Sequence, residues 1–127
     1  MDIIKRLRSN IREYLRPKFG VEYVQEDVPE TPKRKTLYIV TEDAVSWSAA
    51  MLCPCGCGAV LHLNLLPDER PFWTIIQDPD KPISLSPSVW RRVGCQSHFW
   101  FRHGRIYWTQ DQKHTFIRDL RLFLRRK

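Results

Sequence analysis

Cys53-Pro54-Cys55-Gly56-Cys57-Gly58-Ala59-Val60-Leu61-His62-Leu63-Asn64-Leu65 joins two patterns that demand different backbones. Its first half alternates cysteine with proline and glycine, which suits a tight turn rather than a regular element. Its second half alternates apolar and polar residues with period two, which predicts a half-buried strand. Leu61 and Leu63 then face a core and His62 faces solvent. A strand is therefore expected to leave directly from a cysteine turn.

The flanking sequence extends this β pattern. Leu37-Tyr38-Ile39-Val40 is a short apolar run and predicts a buried strand. Val45-Ser46-Trp47 leads through Ala49 to Leu52 and predicts a strand that runs into the cysteines. Phe72 to Ile76 is a further strand candidate, followed by a turn cluster at Asp78-Pro79-Asp80-Lys81-Pro82. Ser97 to Arg102 and Arg105 to Thr109 flank His103-Gly104, which predicts a hairpin with glycine at a positive-φ position. The ends change character. In residues 2–16, Ile3, Ile4, Leu7, Ile11, Tyr14 and Leu15 follow helical spacing, and Pro17 discourages continuation. Phe116, Ile117, Leu120, Phe123 and Leu124 repeat that spacing near the C-terminus, with arginines off the apolar face. Residues 26–35, with Pro29, Pro32 and mixed charges, read as an exposed connector.

The expected fold is thus α+β: a small antiparallel β-sheet domain around one zinc site, with amphipathic basic helices at both termini. Residues 1–35 form the basic N-terminal helix and charged linker, and 36–127 the zinc-binding β-rich domain with its C-terminal helix. The 127 residues, 43% hydrophobic and 12% aromatic with five tryptophans, suffice for one modest core that a metal would help to staple. No apolar run has the length of a membrane span, and Lys5, Arg6, Arg8 and Arg12 break up any signal-peptide core. A cytoplasmic address is the expectation, and in a reducing compartment clustered cysteines favour metal over disulfide.

Charge is uneven. The formal net charge is +7, yet residues 1–18 carry +4, 112–127 carry +5 and the body between them is −2. The basic ends predict weak nonspecific nucleic-acid binding, because such contacts depend on charge alone.

The chemistry concentrates on the cysteines. Cys53, Cys55 and Cys57 come from one glycine-rich turn, and Cys95-Gln96-Ser97-His98 offers a second half-site. Zn2+ takes thiolates and imidazoles in a tetrahedron, often two or more from one turn. Five candidates compete for four positions: Cys55, Cys57, Cys95 and His98 are the first choice, with Cys53 as an alternate thiolate in an all-cysteine site. Buried free thiols are the bland alternative. No acid lies inside either half-site, so a structural zinc is expected rather than a catalytic one. No catalytic constellation stands out; a cysteine nucleophile paired with His62, His98, His103 or His114 is the main enzymatic alternative. Trp100, Arg102 and Arg105, on the expected hairpin, interleave aromatic and basic character and are the candidate partner-binding residues.

Cys53-Pro54-Cys55-Gly56-Cys57-Gly58, Cys95-Gln96-Ser97-His98-Phe99-Trp100 and Gly104-Arg105-Ile106-Tyr107-Trp108 together resemble a bacterial zinc-binding family of unknown function. Genes of that family neighbour ubiquitin-like proteins and E1-like and E2-like conjugation enzymes. The resemblance covers roughly residues 36–110. It implies an adaptor or E3-like component of a bacterial ubiquitin-like conjugation system, with E1-like or E2-like partners and a link to antiviral defence. A nucleic-acid-binding zinc protein that uses the basic termini is the alternative.

Overall fold

A computed structural model describes Ile3, Ile4 and residues 18–109. The expected terminal helices fall mainly outside these residues, as do His114 and the basic C-terminal segment.

The described chain is built from strands: β1 (Gly20–Val24), β2 (Thr36–Glu42), β3 (Val45–Leu52), β4 (Val60–Asn64), β5 (Thr74–Ile76), β6 (Ser84–Ser86), β7 (Val89–Trp90), β8 (His98–Arg102) and β9 (Arg105–Trp108). They form a four-stranded sheet in the order β1-β2-β3-β4, a two-stranded sheet β5-β6 and a three-stranded sheet β7-β8-β9. Every pairing of these strands is antiparallel except β1 with β2, where Gly20 to Val24 run parallel to Thr36 to Val40. The first sheet is therefore mixed, which corrects the expectation of a purely antiparallel one. The long connector between β1 and β2 makes this possible, since parallel neighbours need a crossover and cannot share a tight turn.

β2 sits inside the first sheet and is buried on both faces from Thr36 to Val40, which is why its apolar run is continuous. β4 keeps its alternation: Leu61 and Leu63 are buried and His62 is exposed, as the period-two pattern requires. β8 carries the same pattern, with Phe99 and Phe101 fully buried between half-buried His98 and Trp100. Its hairpin to β9 turns through His103 (φ +46°) and Gly104 (φ +75°), a pair of left-handed residues that matches the strand twist. Gly104 is also tightly packed. A Cβ there would lie 3.2 Å from Pro82 Cβ, and its carbonyl accepts from Phe19 N at 2.7 Å.

One apolar core joins the three sheets. Leu37, Ile39, Met51, Leu61, Leu85, Phe99, Phe101 and Ile106 belong to the same buried cluster, with Phe19 meeting Phe101 edge to face at 5.6 Å between ring centroids. Cys53 is part of that cluster too. Cys53 thus anchors the start of the cysteine turn in the core, while Cys55 and Cys57 are exposed. Among the described residues, no helix is long and apolar enough to cross a membrane.

Candidate metal centre and an adjacent serine–histidine pair

Three of the four cysteines come from the β3–β4 turn. Cys53 N donates to Ala59 O at 2.8 Å and closes the loop, while Gly56 N donates to Cys53 O at 3.1 Å. Gly56 (φ +88°) and Gly58 (φ +86°) take the left-handed conformations that wrap this turn. Cys95 arrives from the loop between β7 and β8. Arg91 N donates to Ser97 O at 2.8 Å across the base of that loop.

The Sγ atoms of Cys53, Cys55, Cys57 and Cys95 all lie within 4.8 Å of one another. Cys53 Sγ is 3.3 Å from Cys55 Sγ and 3.6 Å from Cys95 Sγ, and all four residues are free thiols. A tetrahedral ion with metal–sulfur bonds of about 2.3 Å spaces its sulfurs about 3.8 Å apart. The group therefore has the dimensions of a four-sulfur site and can hold a metal ion.

Polar groups complete its surroundings. Ser97, itself buried, places Oγ 3.1 Å from Cys95 Sγ and 3.3 Å from Cys53 Sγ. The Arg91 guanidinium points Nη1 at Cys95 Sγ (3.4 Å) and Cys57 Sγ (3.6 Å). The two best-connected thiols are driven apart electrostatically. Burial pushes the Cys53 thiol up to about 12. Burial opposes ionisation of Cys95 as well, but the Ser97 hydroxyl and backbone, the Arg91 guanidinium and the Cys53 thiol outweigh it and bring Cys95 down to about 6. At neutral pH Cys95 is then a thiolate that accepts hydrogen bonds from its neighbours, the Cys53 thiol among them.

The structure brings together Cys53, Cys55, Cys57 and Cys95, and it seats the fifth ligand candidate, His98, differently. His98 Nε2 is 2.9 Å from Ser88 Oγ. Its ring stacks on Trp90, with centroids 4.8 Å apart and planes 12° from parallel. The strand register accounts for this: Trp90 pairs with His98 and Val89 with Phe99, so Ser88, just before β7, comes alongside the imidazole. Ser88 is itself held, because Trp73 Nε1 donates to its carbonyl at 3.3 Å. Ser88 and His98 are both half-buried.

Sequence reasoning does not find this pair. Ten residues separate Ser88 from His98, no motif spans them, and the Cys-x-x-His spacing directs attention to the metal. The signal that would find it is the pairing of Trp90 with His98, which a two-residue strand does not reveal by periodicity.

The remaining candidates are placed as follows. Trp100 is half-buried on β8, with the Arg102 guanidinium carbon 4.7 Å from its ring centroid. Arg102 pairs with Arg105 across the hairpin, and the Arg105 backbone also forms an isolated antiparallel β-bridge with that of Lys18. His103 lies in the hairpin turn and sets Nε2 2.8 Å from Asp78 Oδ2. A more exposed aromatic lies elsewhere: Trp90 is 50% accessible, with the Arg92 guanidinium carbon 4.3 Å from its ring centroid.

A family model described as bacterial ubiquitination-like system serine protease (BubE) matches residues 24–109. That span is more than half of the chain and contains the four cysteines, Ser88 and His98. The chain therefore belongs to this family, and with it to bacterial ubiquitination-like systems. No curated protein and no solved structure matches the chain.

Proposed function

Starting from membership of that family, we propose that the chain is a serine hydrolase of a bacterial ubiquitination-like system, with Ser88 as nucleophile and His98 as its base. The observation that carries this reading is the 2.9 Å contact between Ser88 Oγ and His98 Nε2. Hydroxyl and imidazole at hydrogen-bond distance are the minimum that serine nucleophilic catalysis needs.

The chemistry follows from that contact. In the tautomer with the proton on Nδ1, Nε2 accepts the Ser88 hydroxyl proton as Oγ attacks a substrate carbonyl carbon. The protonated imidazole then gives its proton to the departing amine or alcohol, which leaves an acyl-serine ester. A water molecule, deprotonated by the same nitrogen, cleaves the ester and restores Ser88. Stacking on Trp90 fixes the plane of the ring through this cycle. The words serine protease in the family description support polypeptides of the conjugation system as the substrates.

The metal reading belongs to the same proposal. Cys53, Cys55, Cys57 and Cys95 would hold one zinc ion through their four thiolates. Soft sulfur donors and tetrahedral spacing suit zinc, and a closed site stabilises the fold without activating water. Its role is to fix the turn and the β7–β8 loop that together frame the catalytic pair.

An adaptor or E3-like role is the second reading, favoured by the Arg102–Trp100 cation–π pair on the hairpin. The two readings part in one experiment. The purified chain is incubated with the ubiquitin-like protein of its own system, free and conjugated, and the products are weighed by intact mass spectrometry. The hydrolase reading expects a cleaved product that S88A and H98A each reduce by at least about a hundredfold, the usual scale for losing a general base. Stable complex formation with no cleavage would favour the adaptor. Cleavage that survives in both variants would dismiss the proposed pair.

A further inference from the structure

Arg91 stands between the two sites. It follows Trp90, whose indole stacks on His98, and its guanidinium reaches the sulfurs of Cys95 and Cys57. Cys95 in turn lies on the loop that leads into β8, three residues before His98, and the base of that loop is closed by the Arg91 N to Ser97 O hydrogen bond. The loop is shaped around this side chain. Gly94 has φ +66°, and a Cβ placed there would lie 2.9 Å from both Arg91 Cζ and Nη2. Glycine at 94 leaves the space that the guanidinium occupies.

Four thiolates around one divalent cation carry a net charge of −2, a charge that a neighbouring cation and N–H donors relieve. We propose that Arg91 is the outer cationic partner of the four-sulfur centre, and that it couples the occupied centre to the position of His98 through Trp90. The proposal rests on the zinc and hydrolase readings given above. Arg91 is a positioning residue: it orients Cys57 and Cys95 toward the ion, and it anchors the strand end on which the imidazole is stacked.

The test uses the full chain loaded with zinc, as wild type, R91A, R91K and G94A. Zinc affinity is measured by competition with a chromogenic chelator. R91A is expected to weaken zinc binding about ten- to a hundredfold, the range typical of outer partners of metal ligands. R91K keeps the charge but loses the planar fork, so its affinity should fall between R91A and wild type. G94A keeps the arginine but displaces it, and should weaken zinc in the same direction. Labelling of Ser88 by a fluorophosphonate, at saturating zinc, supplies the second readout. R91A should label several-fold more slowly than wild type, with R91K partly restoring the rate.

If R91A holds zinc as tightly as wild type, the outer-partner role is overturned. If it labels at the wild-type rate, the coupling is overturned. Where R91A does not fold, R91K and G94A decide the matter by the same criteria. Failure of the underlying reading looks different, because wild-type chain would then bind no zinc or take no label.

Discussion

Cys95 receives hydrogen bonds from a hydroxyl, a guanidinium and a thiol, whereas Cys53 beside it is buried and donates. The two residues have the same side chain and differ only in what surrounds them. Their ionisation consequently separates: Cys95 sits at about 6 and Cys53 at about 12. The direction of each effect fixes a prediction for the metal-free chain. A thiolate is the reactive form and its fraction rises with pH. Alkylation by iodoacetamide, followed by peptide mass spectrometry, should modify Cys95 with a midpoint near pH 6 and leave Cys53 unmodified through pH 9. Equal labelling of both at neutral pH would contradict the arrangement. At this scale the sequence is legible in residue type and not in distance. Glycines and a proline around the cysteines announce a turn that could hold a metal, but whether Cys53 or His98 stands closer to the other candidates depends on strand pairing.

The strands that alternate cleanly, β4 and β8, are legible in the sequence, because one face is buried and the other is not. β1, β6 and β7 are not. β1 carries Val21, Tyr23 and Val24 but has no buried face to mark a period, and its place in the sheet comes from its parallel pairing with β2. β6 and β7 span three and two residues, too few for a period to show. Yet Ser88 directly precedes β7, so the shortest strand sets the serine–histidine contact that the sequence leaves unseen. The β8–β9 hairpin is legible because a glycine marks its turn. Its geometry gives a second prediction. Gly104→Ala puts a Cβ on a left-handed residue and against Pro82, which should cost about 1–2 kcal/mol and lower the urea unfolding midpoint without changing its slope. An unchanged midpoint would mean that the turn and its contact with Phe19 and Pro82 do not constrain the hairpin.

Across the molecule, three small sheets share one core, and the two-stranded β5-β6 sheet is too small to stand without it. The four-sulfur centre joins a turn of the first sheet to a loop of the third: the β3–β4 turn contributes three cysteines and the β7–β8 loop contributes the fourth. A metal there would cross-link the first sheet to the third, whose β8 carries His98. The family match over residues 24–109 covers both sites. The sequence-based expectation of a component of a bacterial ubiquitin-like conjugation system agrees with that match, while the hydrolase reading depends on the fold setting Ser88 against His98. The basic ends, on which the nucleic-acid alternative rests, lie outside the described residues. The central claim is therefore that Ser88 is an activated nucleophile. It is tested most directly by treating zinc-loaded chain with a fluorophosphonate and mapping the adduct by peptide mass spectrometry. The account predicts one phosphonyl group on Ser88, lost in H98A. No adduct on wild type, or an adduct on another serine that is indifferent to His98, would contradict it.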